Sequence, residues 1–490
     1  MKMITKRVLL LILSVCLLAG MFVSCSQNGN EEPTDTESNE ENTLPLEEDW
    51  VYEIPEELDY GGVEINILTW SGTDEWIFDA TVESSPIDYQ TFLHYCNVEE
   101  ELGVVFNIAK NLSGGWGQHE NFIAELERSQ KAGDSVYDLV CQYSLSGAIG
   151  ALRGVYTNLN ELDYLTWKNP YWSDDLVDAN TINGKIFYVT GDMSRSVLYR
   201  MACMVFNRDQ VEANGYSDSQ LYGLVDEGQW TLEKVREICL DVYEDLDGDG
   251  TEDTSDRYGL VVDEKNAIDF WQYGAGLCLL VKNEDGELLF NEAVTGDRGV
   301  TLCEKLDTLF YNTKGVWCIS PTNSETFSNA FVNNQAMFSV VLGRTFVVSL
   351  QPSGMNYGIL PMPKYDAEQK NYHTALSMVY SMFSVPIDAK DPDMSAAVME
   401  ALGCNGYLHL TPYIFETCMK SRYSQTPDDA RMLDLVRAGI IYEPGRIFTN
   451  VDVAALVRSA VYSSESLVTK YKQRENFINT QLEEINFGFS

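Results

Sequence analysis

From residue 63 onward the sequence alternates two kinds of apolar spacing, and this alternation limits the possible folds more than any other feature. Val63-Glu64-Ile65-Asn66-Ile67-Leu68-Thr69-Trp70 has the two-residue period of a strand and runs into Ser71-Gly72. Ile87 to Leu102 carries a helical period and stops at Gly103, after which Val104 to Ala109 reads as a second strand. Asn121 to Lys131 predicts a polar amphipathic helix ending at Gly133, Tyr137 to Tyr143 predicts a third strand, and Ser144-Leu145-Ser146-Gly147 opens another helix. Parallel neighbours cannot be joined by a tight turn, so this order predicts an α/β fold: a mostly parallel sheet with helices on both faces. Ligands of such sheets sit at the carboxyl ends of the strands. Trp70 and Tyr143 fall there, as ligand contacts or as plugs of the sheet edge.

A second α/β region follows. Val197 to Phe206 reads as an apolar strand, and Trp230-Thr231-Leu232-Glu233-Lys234 as a helix start capped by Thr231. Tyr258 to Val262, Phe331 to Val341, Tyr357 to Leu360 and Val379 to Val385 read as further strands, and the chain from Asp393 on is mainly helical.

Ahead of this body lies an export signal. Lys2, Lys6 and Arg7 precede the apolar run Val8 to Ala19, whose 12 residues are too few to span a bilayer. Met21-Phe22-Val23-Ser24-Cys25 then resembles a bacterial lipoprotein signal. Residues 1–24 are expected to be cleaved and Cys25 to carry the lipid; plain secretion with an incidental cysteine is the alternative. Residues 25–60 are acidic and poor in apolar side chains, so they cannot offset their ordering entropy by burial and read as a disordered tether.

Charge narrows the partners. The 33 basic and 75 acidic residues of the 490 give a net charge of −42, which excludes nucleic acid as a main partner and disfavours anionic lipid as a docking surface. Of the 11 cysteines, the nine beyond Cys16 and Cys25 are widely spaced and form no CxxC pair, so they read as small buried hydrophobes rather than a zinc site or redox motif. Asp245-Leu246-Asp247-Gly248-Asp249-Gly250-Thr251-Glu252-Asp253-Thr254-Ser255-Asp256 fits an EF-hand-like calcium loop. Asp245, Asp247, Asp249, Asp253 and Asp256 supply side-chain oxygens, Gly250 the sharp turn, and Thr251 a carbonyl. The expectation is a structural Ca2+; a solvated acidic turn is the other reading.

Five phrases, in order, resemble the extracellular solute-binding proteins of bacterial ABC transporters, in the maltose-binding-like group. They are Asn183-Gly184-Lys185-Ile186-Phe187-Tyr188 through Val205-Phe206-Asn207-Arg208; Gly228-Gln229-Trp230-Thr231; Gln335-Ala336-Met337-Phe338; Gly343-Arg344; and Tyr357-Gly358-Ile359-Leu360-Pro361. The resemblance implies two α/β lobes joined by hinge strands, with the ligand in the cleft between them. Lobe 1 would be 61–195 with about 376–425, and lobe 2 would be 196–375 with about 426–490. It implies a monomer that captures a carbohydrate, an oligosaccharide for preference, and delivers it to membrane permease subunits from the outer face of the cytoplasmic membrane. Trp70 and Tyr143 in one lobe, and Trp271 and Tyr273 in the other, would stack on sugar rings. Arg344 stands where relatives often carry a Gly-Pro-Trp turn and offers an anion-binding guanidinium; Asp192 and Arg195 complete the candidate set. The expectation is no enzyme, since the four histidines form no catalytic motif and no GxxxxGK[ST] loop occurs. A secreted glycoside hydrolase and a surface sugar receptor without transport are the alternatives.

Overall fold

The computed structural model describes residues 50–71, 85–113, 117–240, 242–253, 255–263, 267–319, 330–463 and 465–490. Trp50–Ser490 forms one compact unit; the signal, Cys25 and the tether as far as residue 49 lie outside the described residues.

The first half builds as its periodicity predicts. Strand β1 (Val63–Ser71) is followed by helix α1 (Pro86–Leu102), β2 (Val104–Ser113), α2 (His119–Ala132), β3 (Leu139–Tyr143) and α3 (Ser144–Leu152). Helix α1 starts where the Ser85 hydroxyl accepts the Asp88 backbone N–H at 3.1 Å and stops where Gly103 takes φ 61°, a conformation glycine adopts without strain. β1 lies parallel to both β2 and β3.

The chain then crosses to a second sheet. It runs through a single helical turn, α4 (Ser196–Arg200), β4 (Ala202–Asn207), α5 (Leu232–Cys239), β5 (Tyr243–Glu244), β6 (Arg257–Asp263) and α6 (Ala267–Gly274). A hairpin, β7 (Leu280–Lys282) and β8 (Leu288–Phe290), precedes α7 (Asp297–Tyr311), β9 (Val316–Ile319), β10 (Ala336–Leu342) and β11 (Tyr357–Leu360). After β12 (Thr374–Ala375) it returns to the first sheet as β13 (Ser381–Ser384) and ends in α8 (Pro392–Asn405), α9 (Pro427–Ala438), β14 (Ile440–Ile441), α10 (Ala454–Ser463) and α11 (Leu467–Gly488). The first sheet has the order β13-β3-β1-β2; the second has β11-β4-β10-β6-β5, with β9 on β6.

Two expectations are corrected. Val197–Phe206 is not one strand: its first residues form α4, and only residues from 202 on pair with β10 and β11. Apolarity without a period does not separate a buried helical turn from a buried strand. Phe331–Val341 begins as the end of a helix and turns at Asn334, φ 64°, so the strand starts only at Ala336.

The first sheet separates two cores. Ile65, Ile67, Leu139 and Cys141 face one, together with Phe383 and the α8 residues Ala397 to Leu402. Leu68, Trp70 and Val140 face the other, which continues through the crossing into the second sheet. Alternate residues of one strand thus serve different cores, as the two-residue period requires. No described helix is long and apolar enough to cross a membrane.

Candidate functional site

Two segments cross between the sheets side by side. Antiparallel bridges link Val189 to Phe383 and Met201 to Leu376. The Ser377 N–H donates to the Arg200 carbonyl at 2.9 Å, and the Ser381 N–H to the Ser196 hydroxyl at 2.7 Å. The carboxyl ends of the parallel strands open toward this crossing: β3 ends at Tyr143, and the Ser144 N–H donates to the Tyr380 carbonyl at 3.0 Å. β10 ends at Leu342, and the Gly343 N–H donates to the Met201 carbonyl at 3.0 Å. The continuations of β1, β6 and β9 lie outside the described residues.

Arginines gather on this floor. Arg195, 4% exposed, donates to the Asp88 carboxylate at 2.5 Å and lies 5.2 Å from the centre of the Tyr199 ring. Arg200 follows at the end of α4, 9% exposed; burial first, and then the charge of Arg344, lower its guanidinium to about 9. Arg344, half-buried, stands on the turn after β10. That turn requires glycine before it, because a Cβ on Gly343 would lie 1.9 Å from the Leu198 carbonyl oxygen. Arg200 escaped the sequence reading, although a lone arginine inside the apolar run Val197–Phe206 was a visible signal.

The aromatic candidates need correction. Trp70 is fully buried, stacked on Phe122 at 4.7 Å and flanked by Tyr143 at 5.3 Å and His119 at 5.7 Å, so both ring faces serve the core. Trp271 is likewise fully buried, edge-on to Phe310 of α7 at 5.5 Å, and faces the interior of the second lobe. Tyr143, nearly buried, shares the Trp70 cluster. Tyr273 does reach the crossing: with Leu376, Met378, Tyr380 and Glu443 it lines a void of about 10 Å³. Beside it Arg446 pairs with Asp269 at 3.0 Å and donates to the Leu376 carbonyl at 2.5 Å, fastening α6 and the C-terminal third to the second crossing.

Asp192 lines a cavity that also touches Val197 and Leu198 of α4. It accepts from the Thr411 hydroxyl at 2.7 Å in a cavity of about 440 Å³ shared with Tyr171, Arg437 and Tyr442. Burial raises its carboxyl, against the pull of Arg437 and Thr411. A larger cavity, about 1330 Å³, opens between residues 175–179, the β7–β8 hairpin and α9, with Lys364, His373 and Arg431 in its wall.

The acidic loop assembles in part. Carboxylate oxygens of Asp245, Asp247 and Asp249 lie within 4.8 Å of one another, and Gly250 turns at φ 75°. The Asp249 N–H bonded to Asp247 favours its charged form, but burial and the charges of Asp249, Asp245 and Asp253 prevail and raise that carboxyl. Three hard-oxygen groups converging in mutual repulsion fit a cation such as Ca2+. Asp256 departs from the expectation: it is buried and accepts from the Tyr243 hydroxyl at 3.0 Å and the Leu246 and Asp253 N–H groups at 3.2 Å, and neither it nor Asp253 joins the three.

No family model and no curated protein matches the chain. Solved structures do. The sugar-binding protein MalE from Xanthomonas citri aligns with 12% identity and a TM-score of 0.58, over 87% of this chain and 99% of that one. The GacH receptor of Streptomyces glaucescens aligns with 12% identity and a TM-score of 0.55, over 86% and 99%. The galacto-N-biose/lacto-N-biose I-binding protein of the ABC transporter of Bifidobacterium longum aligns with 10% identity and a TM-score of 0.54, over 87% and 98%. From the first sheet through the two crossings to the C-terminal helices, this chain has the two-lobed α/β fold of the substrate-binding proteins of bacterial ABC transporters.

Proposed function

We propose that this protein is the extracellular substrate-binding lipoprotein of an ABC transporter, which captures an oligosaccharide between its lobes and hands it to permease subunits. The observation that carries this reading is the likeness of fold over 96% or more of the neighbours' own lengths. Solved neighbours of this fold include complexes with acarbose, cycloalternan, maltotetraose and lacto-N-biose. Two crossing segments are the natural hinge, and closure is driven by ligand contacts made only when both lobes are engaged. Cys25 would carry the anchor, and Asp245, Asp247, Asp249 and the Thr251 carbonyl would hold a structural Ca2+ that neutralises the acidic loop. The test is calorimetry against a panel of oligosaccharides, with small-angle scattering before and after saturation. The expected result is binding of a saccharide with a smaller radius of gyration. Binding of amino acids or peptides without any saccharide response overturns the carbohydrate reading, and release of cleaved sugar favours a glycoside hydrolase.

A further inference from the structure

The two large cavities meet, because Asp175, Asp434, Ala438, Ile440 and Tyr442 line both. One wall of the resulting groove belongs to lobe 1, from Pro170 to Ala179 and again at Gly191 and Asp192; the facing wall is α9 with β14. No strand of the two main sheets lines either part, so the groove is distinct from the strand ends at the crossing. Its wall is charged but balanced. Four carboxylates and four lysine or arginine side chains line the larger part, in a chain of 75 acidic and 33 basic residues. Several are already engaged: Lys282 with Asp178 at 2.8 Å, Arg431 with Asp226 at 3.1 Å, and Asp434 with Lys420 at 2.9 Å. Lys364, 3% exposed, donates to the Gln369 carbonyl at 2.8 Å and lies 5.3 Å from the centre of the Tyr372 ring. An ion entering here would have to displace such partners. A hydroxyl both donates and accepts, so it can add to a carboxylate or an ammonium without breaking its pair. The half-buried Tyr372 and Tyr442 supply apolar ring surface of the kind a sugar's C–H face packs against.

We propose that this groove holds the ligand, an uncharged oligosaccharide, with Asp175 and Tyr442 contacting it where the two parts meet. This rests on the carbohydrate reading above and gives that ligand a site and a charge. The parts measure about 1330 and 440 Å³, against roughly 300–1,000 Å³ for an ordinary small-molecule site, so the groove takes several rings rather than one. A saccharide lying in it touches lobe 1 on one side and the C-terminal third on the other. Contact with both is what ligand-driven closure requires.

The experiment is calorimetry on the intact protein. The probes are tetramers of α-1,4-glucose, β-1,4-glucose, β-1,4-mannose and β-1,4-xylose, beside those of α-1,4-galacturonate and β-1,4-glucosamine as anionic and cationic comparators. The expected result is one neutral tetramer bound at least about tenfold more tightly than either charged one. Ala438 is exposed at the end of α9 and lines both parts of the groove. Ala438→Trp fills the junction and is expected to abolish that binding, whereas Ala438→Ser retains it. Tyr442→Ala is expected to weaken it at least about tenfold through loss of the ring, which Tyr442→Phe keeps. Thermal melts verify that each variant is folded, and the exposed Ala438 alone decides the matter where the Tyr442 variant is not. An affinity unmoved in Ala438→Trp overturns the groove while carbohydrate capture stands. A charged tetramer bound more tightly than every neutral one overturns the uncharged ligand. Binding of no saccharide, here or in the panel above, overturns the capture reading itself.

Discussion

Glu400 illustrates how a buried charge fixes a loop. It sits on α8 with no exposed surface and accepts from the Tyr171 hydroxyl at 2.5 Å, the Asn169 amide at 2.9 Å, the Trp172 indole at 3.0 Å and the Thr166 N–H at 3.3 Å. Glu400→Ala strands these donors and is expected to cost about 3 kcal/mol, read as a lowered denaturation midpoint. Burial, acting against the same hydrogen bonds, raises the Glu400 carboxyl above its ordinary 4.5. The folded value therefore exceeds the unfolded one, and protonation favours the fold. This contribution is complete below about pH 4.5 and is lost as pH rises through the folded value. Glu400→Gln has no such loss. The melting temperature of the parent minus that of Glu400→Gln is therefore expected to fall between pH 4.5 and pH 8. A constant difference across that range would mean the carboxyl does not titrate there.

The loop at residues 245–256 makes its prediction as an element. Its side chains cap its own backbone: Asp245 accepts from the N–H groups of Gly248 at 2.7 Å and Gly250 at 2.9 Å, and Asp249 accepts from that of Thr251 at 2.6 Å. Asp256 ties its end to the Tyr243 hydroxyl and the buried base of β6. A cation bound to the folded loop stabilises it by about 2.7 kcal/mol at a hundredfold excess over its dissociation constant. After chelation, adding Ca2+ is expected to raise the melting temperature, and Asp245→Ala with Asp249→Ala to abolish the rise. Magnesium restoring the same shift would point to general charge screening instead of a calcium site. Much of this scale was legible in the sequence, because period and caps act locally. Gly103 and Gly133 end their helices where the apolar pattern stops, with φ 61° and 70°. Burial direction was not legible. Trp70 ends a strand whose faces serve two different cores, so spacing assigned it a face without telling whether that face is covered by Phe122 or open to a ligand. Arg200 was hidden for a related reason: the apolar run around it read as a uniform strand, whereas its first residues form α4, which Arg200 ends.

For the whole molecule, the order of elements was enough to predict two α/β regions, since parallel sheets need crossover helices and connections are short, while their arrangement as two lobes joined by hinge strands came from the family resemblance. The second lobe's antiparallel β4 between β10 and β11 was beyond reach, because pairing between segments more than a hundred residues apart leaves no periodic trace in either. The folded unit also shows where any N-terminal attachment must act. Its first residues are fastened to lobe 1: the Val51 N–H donates to the Asn169 side-chain oxygen at 3.2 Å, the Asn169 amide returns a bond to the Val51 carbonyl at 3.0 Å, and Trp50 packs edge-on to Tyr171 at 6.1 Å. On the lipoprotein reading, residues 26–49 separate that point from Cys25. All membrane affinity would rest on lipid at one residue, because a surface of net charge −42 is repelled by anionic headgroups. Cys25→Ala is therefore expected to move the protein from the membrane fraction to the medium with ligand affinity and melting temperature unchanged. A variant that remains in the membrane fraction to the parent's extent would show that something other than Cys25 holds it there.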